Sequence, residues 1–214
     1  PSARDEWGFD WLSQFLAARG YAVIQPEYRG SAGFGDKWLM DNGFKSWRTS
    51  IGDVDAAARY LASSGMADPK RIAIVGWSYG GYAALQAAAT DPSLYKGVVA
   101  IAPVTDLALL KQEAQDYTNA DVVAKFVGSG PHVIEGSPLH HAADIKVPVL
   151  LVAGTLDANV AYEESAKMED ALQGAGAKSE LLTFKGLDHQ LDDSVARTEM
   201  LTKIGELLDN TIGH

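Results

Sequence analysis

The fold is decided by the stretch Arg71-Ile72-Ala73-Ile74-Val75-Gly76-Trp77-Ser78-Tyr79-Gly80-Gly81-Tyr82-Ala83. Its apolar, β-branched run at 72–75 predicts a strand, and the alanine-rich segment at 79–89 predicts a helix. Between them stands G-x-S-x-G, the pattern of a nucleophile elbow. We expect a turn so tight that only glycine fits on either side of Ser78, and a serine hydroxyl that projects beyond the sheet. The competing interpretation is a serine that merely caps the helix.

Working outward from this stretch, strands and helices alternate along the chain, which predicts a mostly parallel α/β sheet flanked by helices. The apolar pattern predicts strands at 21–25, 72–75, 97–102, 148–153 and 179–184, and helices at 7–18, 50–63, 79–89, 162–173 and 191–208. A glycine-rich loop is expected at 28–43 and an irregular, partly helical region at 107–136. The 214 residues are most simply one domain, 1–214.

Composition excludes several classes of function. The formal net charge of −10 argues against nucleic acids and anionic membranes as partners. The absence of cysteine excludes disulfides and thiol chemistry. No apolar run approaches the ~20 residues that span a bilayer. We expect a soluble protein, cytoplasmic or periplasmic, and because the chain starts at Pro1 the question of a signal peptide stays open.

Two later strand ends carry the residues that a serine nucleophile needs. Asp157 follows the strand at 148–153, and His189 follows the strand at 179–184. Parallel strands bring such loops to one edge of a sheet. The order Ser78, Asp157, His189 is that of α/β-hydrolases. The histidine is the expected base, since imidazoles titrate near neutral pH, and the aspartate would orient it.

Other residues compete for these roles. Asp106 also follows a strand and is the alternative acid. Further histidines are His132, His140, His141 and His214, for which surface or capping positions are expected. Asp188, beside the base, is interpreted as a solvated turn residue. Adjacent histidines rarely chelate a metal, so no metal and no cofactor are predicted. The backbone N–H of Tyr79 is the expected oxyanion donor, and a second donor should come from a loop that the chain hardly contains.

These residues resemble one family, the prolyl oligopeptidase family of serine peptidases. The resemblance rests on Gly76 to Tyr82, on Pro26-Glu27-Tyr28-Arg29-Gly30-Ser31-Ala32-Gly33-Phe34-Gly35, on Ala102 to Asp106 with Ser137-Pro138, and on Gly154 to Val160. Where the family has a histidine before its acid-bearing loop, this chain has Ala153. Pro1-Ser2-Ala3 resembles the end of the family's His-Gly-Gly-Pro motif.

The resemblance implies an α/β-hydrolase catalytic domain that lacks its first strands and the family's N-terminal β-propeller. A gap beside the elbow strand, or direct pairing of the strands at 21–25 and 72–75, is therefore expected. The lost oxyanion donor implies a weak catalyst, by about 10²–10³ in rate. The resemblance also implies a substrate pocket, lined in this sequence by Tyr82, Val104, Leu107, Leu110, Asn159 and Val160.

Three functions remain open from the sequence. The first is a serine peptidase that cleaves short peptides through an acyl-enzyme, of dipeptidyl-, acylaminoacyl- or oligopeptidase type. The second is an esterase or other acyl hydrolase on the same fold. The third is a catalytically weak or non-catalytic fragment. Short peptides are the expected substrates, and the missing N-terminal part of the parent protein or a second copy of the chain is the alternative partner.

Overall fold

The computed structural model describes residues 3–34 and 36–213. Their centre is a parallel sheet of four strands in the order β1-β2-β3-β4. The strands are β1 (Ile74–Trp77), β2 (Val98–Ile101), β3 (Val149–Gly154) and β4 (Ser179–Phe184). Val98 of β2 pairs with Ile74 on one side and Val149 on the other. Each of these strands overlaps a strand that the apolar pattern predicted, so the predicted α/β class is confirmed.

Nine helices are described around this sheet, and each pair of consecutive strands is joined by at least one of them. They are α1 (Trp11–Ala18), α2 (Asp36–Asn42), α3 (Trp47–Ser63), α4 (Tyr79–Thr90), α5 (Leu107–Glu113), α6 (Ala120–Val127), α7 (His132–Glu135), α8 (Tyr162–Gly174) and α9 (Ser194–Thr211). Short 3₁₀ turns cover 43–46, 114–116 and 138–144. The region at 107–136 is helical in pieces, as expected.

The sheet carries a core on each face, because alternate residues of a strand point to opposite sides. One core joins the strands to α3, α4 and α8, and includes Ile51, Leu85 and Met168. The other joins them to α1 and α9, and includes Leu16 and Ile204. β2 and β3 lie between the two cores and are buried along their whole length.

Three predicted elements are wrong near the start of the chain. The loop expected at 28–43 contains helix α2 (Asp36–Asn42). The helix predicted at 7–18 begins at Trp11, because the Asp10 carboxylate accepts hydrogen bonds from the Leu12 and Ser13 N–H groups and caps it. Trp7 is left fully exposed. The strand predicted at 21–25 has no strand partner among the described residues. It runs along a cleft beside β1, so of the two expected arrangements the structure has the gap rather than direct pairing.

Candidate active site

Ser78 lies at the turn between β1 and α4 in a conformation that β-branched and bulky residues avoid. Its backbone has φ 56° and ψ −117°, and its side chain makes no capping hydrogen bond to α4. A serine that served only as a helix cap would use its hydroxyl on the helix N–H groups. The hydroxyl is instead left free at the start of a helix, where the positive end of the helix dipole favours an oxyanion.

The glycines around Ser78 do not all have the same role. A Cβ at Gly76 would lie 2.0 Å from the backbone oxygen of Gly80, so only glycine fits there. A Cβ at Gly81 would lie 3.0 Å from Pro103 Cβ, which leaves little room. A Cβ at Gly80 would meet nothing within 4 Å. The prediction that glycine is required on both sides of the serine is therefore wrong for Gly80, since the close approach falls on its neighbour.

His189 and Asp157 form a hydrogen bond at the carboxyl edge of the sheet. The Nδ1–H of His189 donates to Asp157 Oδ2 over 2.7 Å. The other oxygen, Oδ1, accepts from the N–H groups of Asn159 and Val160 at 2.8 and 2.9 Å. The aspartate side chain is 2% exposed and that of the histidine 11%. A carboxylate held in this way fixes the ring's orientation and leaves Nε2 to exchange a proton.

Contacts between loops hold the histidine loop against the residue before the serine and against the Asp157 loop. Trp77 Nε1 donates to the carbonyl of His189 over 3.1 Å, which ties the histidine loop to the residue before Ser78. Leu156 N donates to the carbonyl of Leu187 over 2.9 Å. Gly154 permits this approach, since a Cβ there would lie 2.4 Å from Leu187 O. In the described part of the chain Ser78 Oγ has no hydrogen bond, so its bond to the imidazole stays a prediction.

The competing residues have other partners. Asp106 caps α5, where Oδ1 accepts from the N–H groups of Ala108 and Leu109. His132 Nε2 lies 2.7 Å from Val127 O, and His141 Nε2 lies 3.0 Å from Glu135 O. The imidazole of His140 has no hydrogen bond to the described residues, and His214 lies outside them. Asp188 is exposed and accepts from the Gln190 N–H in its own turn. Among residues 3–34 and 36–213, no three acidic or histidine side chains cluster as a metal site would need.

The residue after the serine supplies a free donor and a rigid support. Within the described residues, the backbone N–H of Tyr79 has no acceptor, which suits an oxyanion donor. Its ring is buried against Tyr28, Phe44 and Tyr82, with ring centroids 5.8, 5.4 and 5.2 Å away. Burial raises the pKa of the Tyr79 hydroxyl to about 12, so this ring stays neutral. The aromatic cluster therefore holds the donor without adding charge.

The residues predicted to line a substrate pocket are spread from core to surface. Tyr82 and Leu107 have no exposed surface, and Val104 and Val160 are each 5% exposed. Leu110 is partly buried and Asn159 is exposed. The first four are thus core residues beneath the site in this structure. The contact of all six with a substrate stays a prediction, and Leu110 and Asn159 are the accessible members.

Sequence reasoning missed Glu164, a buried carboxyl that joins two of the site's loops. It lies at the start of α8, just after the Asp157 loop, with no exposed surface. Its Oε2 accepts from the N–H groups of Thr105 and Asp106, each over 2.7 Å, and from the Thr105 hydroxyl. Its Oε1 has no partner within the described chain. Burial raises its pKa to about 7. A signal was available, because Glu164 stands four residues before the buried Met168 on the same helix face.

Backbone strain is concentrated around the same edge. The described non-glycine residues with positive φ are Ser78, Ala102 and Leu191, with values of 56°, 45° and 47°. Ser78 and Ala102 follow β1 and β2, and Leu191 follows the histidine loop by two residues. Such conformations persist only where the surrounding structure enforces them, and they collect at functional sites.

Comparison with known proteins agrees with this geometry. The model of the prolyl oligopeptidase family, peptidase S9, matches residues 7–214, so the chain belongs to this family of serine peptidases. It is 34% identical over 184 residues to dipeptidyl peptidase family member 6 of Caenorhabditis elegans, a match covering 81% of this chain and 25% of that protein. It is 31% identical over 198 residues to dipeptidyl aminopeptidase BIII of Pseudoxanthomonas mexicana, covering 88% and 29%.

A solved structure shows the same fold over the full chain. A puromycin-hydrolyzing peptidase of Mycobacterium tuberculosis superposes with a TM-score of 0.88 and 28% identity, covering 100% of this chain and 33% of that one. The chain thus spans about a quarter to a third of the length of these relatives. The predicted family and the α/β-hydrolase fold are confirmed. Within the described residues, no helix is both long and apolar enough to cross a membrane.

Proposed function

We propose that this chain is a serine hydrolase that cleaves amide bonds of short peptides. Ser78 Oγ attacks the carbonyl carbon, and His189 Nε2 takes the hydroxyl proton and passes it to the leaving amine. Asp157 orients the ring, and the Tyr79 N–H stabilises the oxyanion. Water then attacks the acyl-enzyme by the same route in reverse, which releases the acid and restores the serine.

The observation that carries the proposal is the buried pair of His189 and Asp157. A histidine and an aspartate paired on the surface would both be solvated. Here the Asp157 side chain is 2% exposed. Its hydrogen bonds with His189, Asn159 and Val160 fix its orientation. The pair lies at the sheet edge where Ser78 precedes α4 without a side-chain hydrogen bond to that helix. The names of the relatives, two of which are dipeptidyl peptidases, favour peptides over other acyl compounds as substrates.

Hydrolysis of matched chromogenic substrates tests the reaction. We expect release of p-nitroaniline from Ala-Pro-p-nitroanilide or acetyl-Ala-p-nitroanilide, and its loss by about 10⁶-fold in Ser78→Ala. The control is Ser63→Ala, which removes an exposed hydroxyl at the end of α3 and should leave the rate unchanged. Turnover of p-nitrophenyl butyrate alone would show an esterase and contradict the peptidase assignment. Equal rates in the wild type and Ser78→Ala would contradict both.

A pair of aspartate variants tests which carboxylate serves the histidine. Asp157→Asn should lower kcat by about 10⁴-fold, because an amide cannot hold the ring in the required tautomer. Asp106→Asn should retain nearly full activity, since asparagine caps a helix as well as aspartate does. The same two side-chain changes thus separate the proposed acid from its competitor. A larger loss in Asp106→Asn than in Asp157→Asn would overturn the assignment.

A further inference from the structure

Side chains from two other elements hold the backbone of the segment that carries His189. Residues 189–191 lie between β4 and α9 without regular secondary structure, and each of their carbonyls accepts a hydrogen bond from a side chain. The His189 carbonyl accepts from Trp77 Nε1 over 3.1 Å. Arg197, in the first turn of α9, donates through Nη2 to Gln190 O over 3.2 Å and through Nε to Leu191 O over 3.1 Å. One guanidinium thus holds two successive peptide groups beside the histidine.

The backbone conformation just after His189 needs such support. The N–H of Leu191 donates to Asp188 O over 3.2 Å, which closes a tight turn with His189 inside it. Leu191 itself has φ 47°, a conformation that residues with a Cβ seldom adopt. Its side chain has no exposed surface and packs in the core that includes Ile204 of α9. Since a strained backbone persists only where its surroundings enforce it, the contacts to this turn determine where the imidazole lies.

Aromatic rings hold Arg197 in its turn. Its Cζ lies 5.0 Å from the centroid of the Trp11 ring, and that ring meets the Trp77 ring edge-on with centroids 5.9 Å apart. A guanidinium is a planar fork that stacks on aromatic faces, so this packing fixes the direction of its donors. Arg197 Nη2 also pairs with Asp192 over 3.3 Å, but that aspartate is 81% exposed and contributes little. The ring stacking and the two carbonyl contacts therefore distinguish Arg197 from an arginine that forms only a surface ion pair.

We propose that Arg197 is a positioning residue for His189, because its guanidinium holds the carbonyls of Gln190 and Leu191 and so keeps the imidazole against Asp157. The bond from His189 Nδ1–H to Asp157 Oδ2 fixes the ring only while the backbone that carries the ring is fixed. A displacement of about 1 Å in a reacting group can lower a rate by about 10²-fold. This role rests on the proposed function, in which His189 is the base.

Kinetics of two Arg197 variants test the proposal. Arg197→Ala should lower kcat for the p-nitroanilides by about 10–100-fold and leave KM unchanged, since a displaced base affects the transition state and not the binding of the substrate. Arg197→Lys should recover only part of this loss, because one ammonium group lacks the rigid fork that reaches two carbonyls. Thermal melting of each variant checks that it folds.

A second arginine provides the matched control. The side chain of Arg19 is also 31% exposed, and its Cζ lies 5.6 Å from the centroid of the Phe15 ring. Arg19 pairs with Asp209 over 2.6 Å, about three turns further along α9 than Arg197. Arg19→Ala therefore removes a stacked and paired guanidinium at a distance from the histidine, and it should leave kcat unchanged.

The proton resonance of His189 Nδ1–H gives a readout that needs no turnover. NMR detects this proton far downfield only while its hydrogen bond to Asp157 protects it from exchange with solvent. The resonance should be present in the wild type and in Arg19→Ala, and it should be lost in Arg197→Ala. A purely structural role of Arg197 elsewhere in α9 would not change it.

Several results would overturn the positioning role. They are an unchanged resonance or kcat in Arg197→Ala, a raised KM at constant kcat, full recovery of kcat in Arg197→Lys, and an equal loss of kcat in Arg19→Ala. Absence of the resonance from the wild type would also overturn it. A wild-type chain that shows the resonance but hydrolyses neither p-nitroanilide would contradict the proposed function alone, and loss of the resonance in Arg197→Ala would then still support the positioning role.

Discussion

Strands β1 and β2 are neighbours of similar composition, yet their surroundings differ. β2 is buried at every position, with a strand on each side and a helical layer on each face. Within residues 3–34 and 36–213, β1 pairs with β2 alone, and each of its four residues keeps part of its surface exposed. Burial of an apolar run is thus determined by the neighbours that the topology supplies rather than by the run itself.

The contrast extends to the candidate active site. Asp157 and His189 follow β3 and β4, and both side chains are buried and hydrogen-bonded to each other. Ser78 follows β1, and its hydroxyl has no partner in the described chain. The loops after β3 and β4 therefore carry a hydrogen-bonded pair, whereas the residue after β1 lies in a strained turn.

Truncation of matched isoleucines should give the largest difference between the strands. Ile101→Ala in β2 removes a side chain with no exposed surface and should lower the free energy of unfolding by about 2–5 kcal/mol. Ile74→Ala in β1 should lower it by roughly half as much, since that side chain is partly exposed. Urea denaturation measures both. Equal losses would show that β1 is as buried in solution as β2.

The pH dependence of stability should report the buried Glu164. Its pKa is raised to about 7 in the folded chain, so between about pH 4.5 and 7 the unfolded chain loses a proton that the folded chain keeps. Stability should fall across that range, by an amount on the order of a few kcal/mol. Glu164→Gln should remove this fall, because an amide does not titrate and its oxygen can still accept from Thr105 and Asp106.

The exposed neighbour provides the control for that measurement. Glu163→Gln removes a carboxylate of the same type one position away on α8, at an exposed site. It should leave the pH profile of unfolding parallel to that of the wild type. A Glu164→Gln profile that also runs parallel to the wild type between pH 4.5 and 7 would contradict the raised pKa.

Two buried tyrosines, Tyr95 and Tyr82, should respond differently to loss of the hydroxyl group. Tyr95, just before β2, donates to Asp55 Oδ1 over 2.9 Å. Tyr95→Phe should therefore destabilise the chain by about 1–3 kcal/mol, since a buried carboxylate loses its partner. Tyr82, just after β1, has a buried hydroxyl without a partner in the described chain. Tyr82→Phe should be neutral or stabilising in thermal melting. A destabilisation equal to that of Tyr95→Phe would mean that the Tyr82 hydroxyl makes a hydrogen bond in solution.

The smallest effect on stability is expected for the exposed ion pair between Arg29 and Asp53. Arg29 donates to both carboxylate oxygens of Asp53 over 2.8 and 2.7 Å, and the guanidinium lowers the pKa of that carboxyl. The Arg29 side chain is 61% exposed. Arg29→Ala should leave the free energy of unfolding nearly unchanged, because solvent screens exposed pairs. A loss that persists unchanged in 1 M NaCl would show a buried role.

The sequence predicted the sheet interior well because its strands are bounded apolar runs with turn residues at each end. The prediction was wrong at 21–25, where the local pattern of a strand is present but no strand partner lies among residues 3–34 and 36–213, and a local pattern does not report its partner. It extended α1 to Trp7 because the apolar spacing continues there, although Asp10 caps the helix. Side-chain capping thus overrode periodicity.

For the candidate site, strand ends and chain order predicted that Asp157 and His189 would lie close together, and the structure joins them by a hydrogen bond. Sequence reasoning missed Glu164, since a glutamate in the first turn of a helix ordinarily lies in solvent. The positive φ of Ala102 and Leu191 could not be predicted either, because both residue types disfavour that conformation. Only contacts between distant loops impose it.

The most direct test of the central claim is covalent labelling of Ser78. The wild-type chain should gain one fluorophosphonate group on incubation at neutral pH, with tandem mass spectrometry placing it on Ser78. Labelling should slow sharply in Asp157→Asn and vanish in Ser78→Ala. An unlabelled wild-type chain, or a label on another serine that survives Ser78→Ala, would contradict the account.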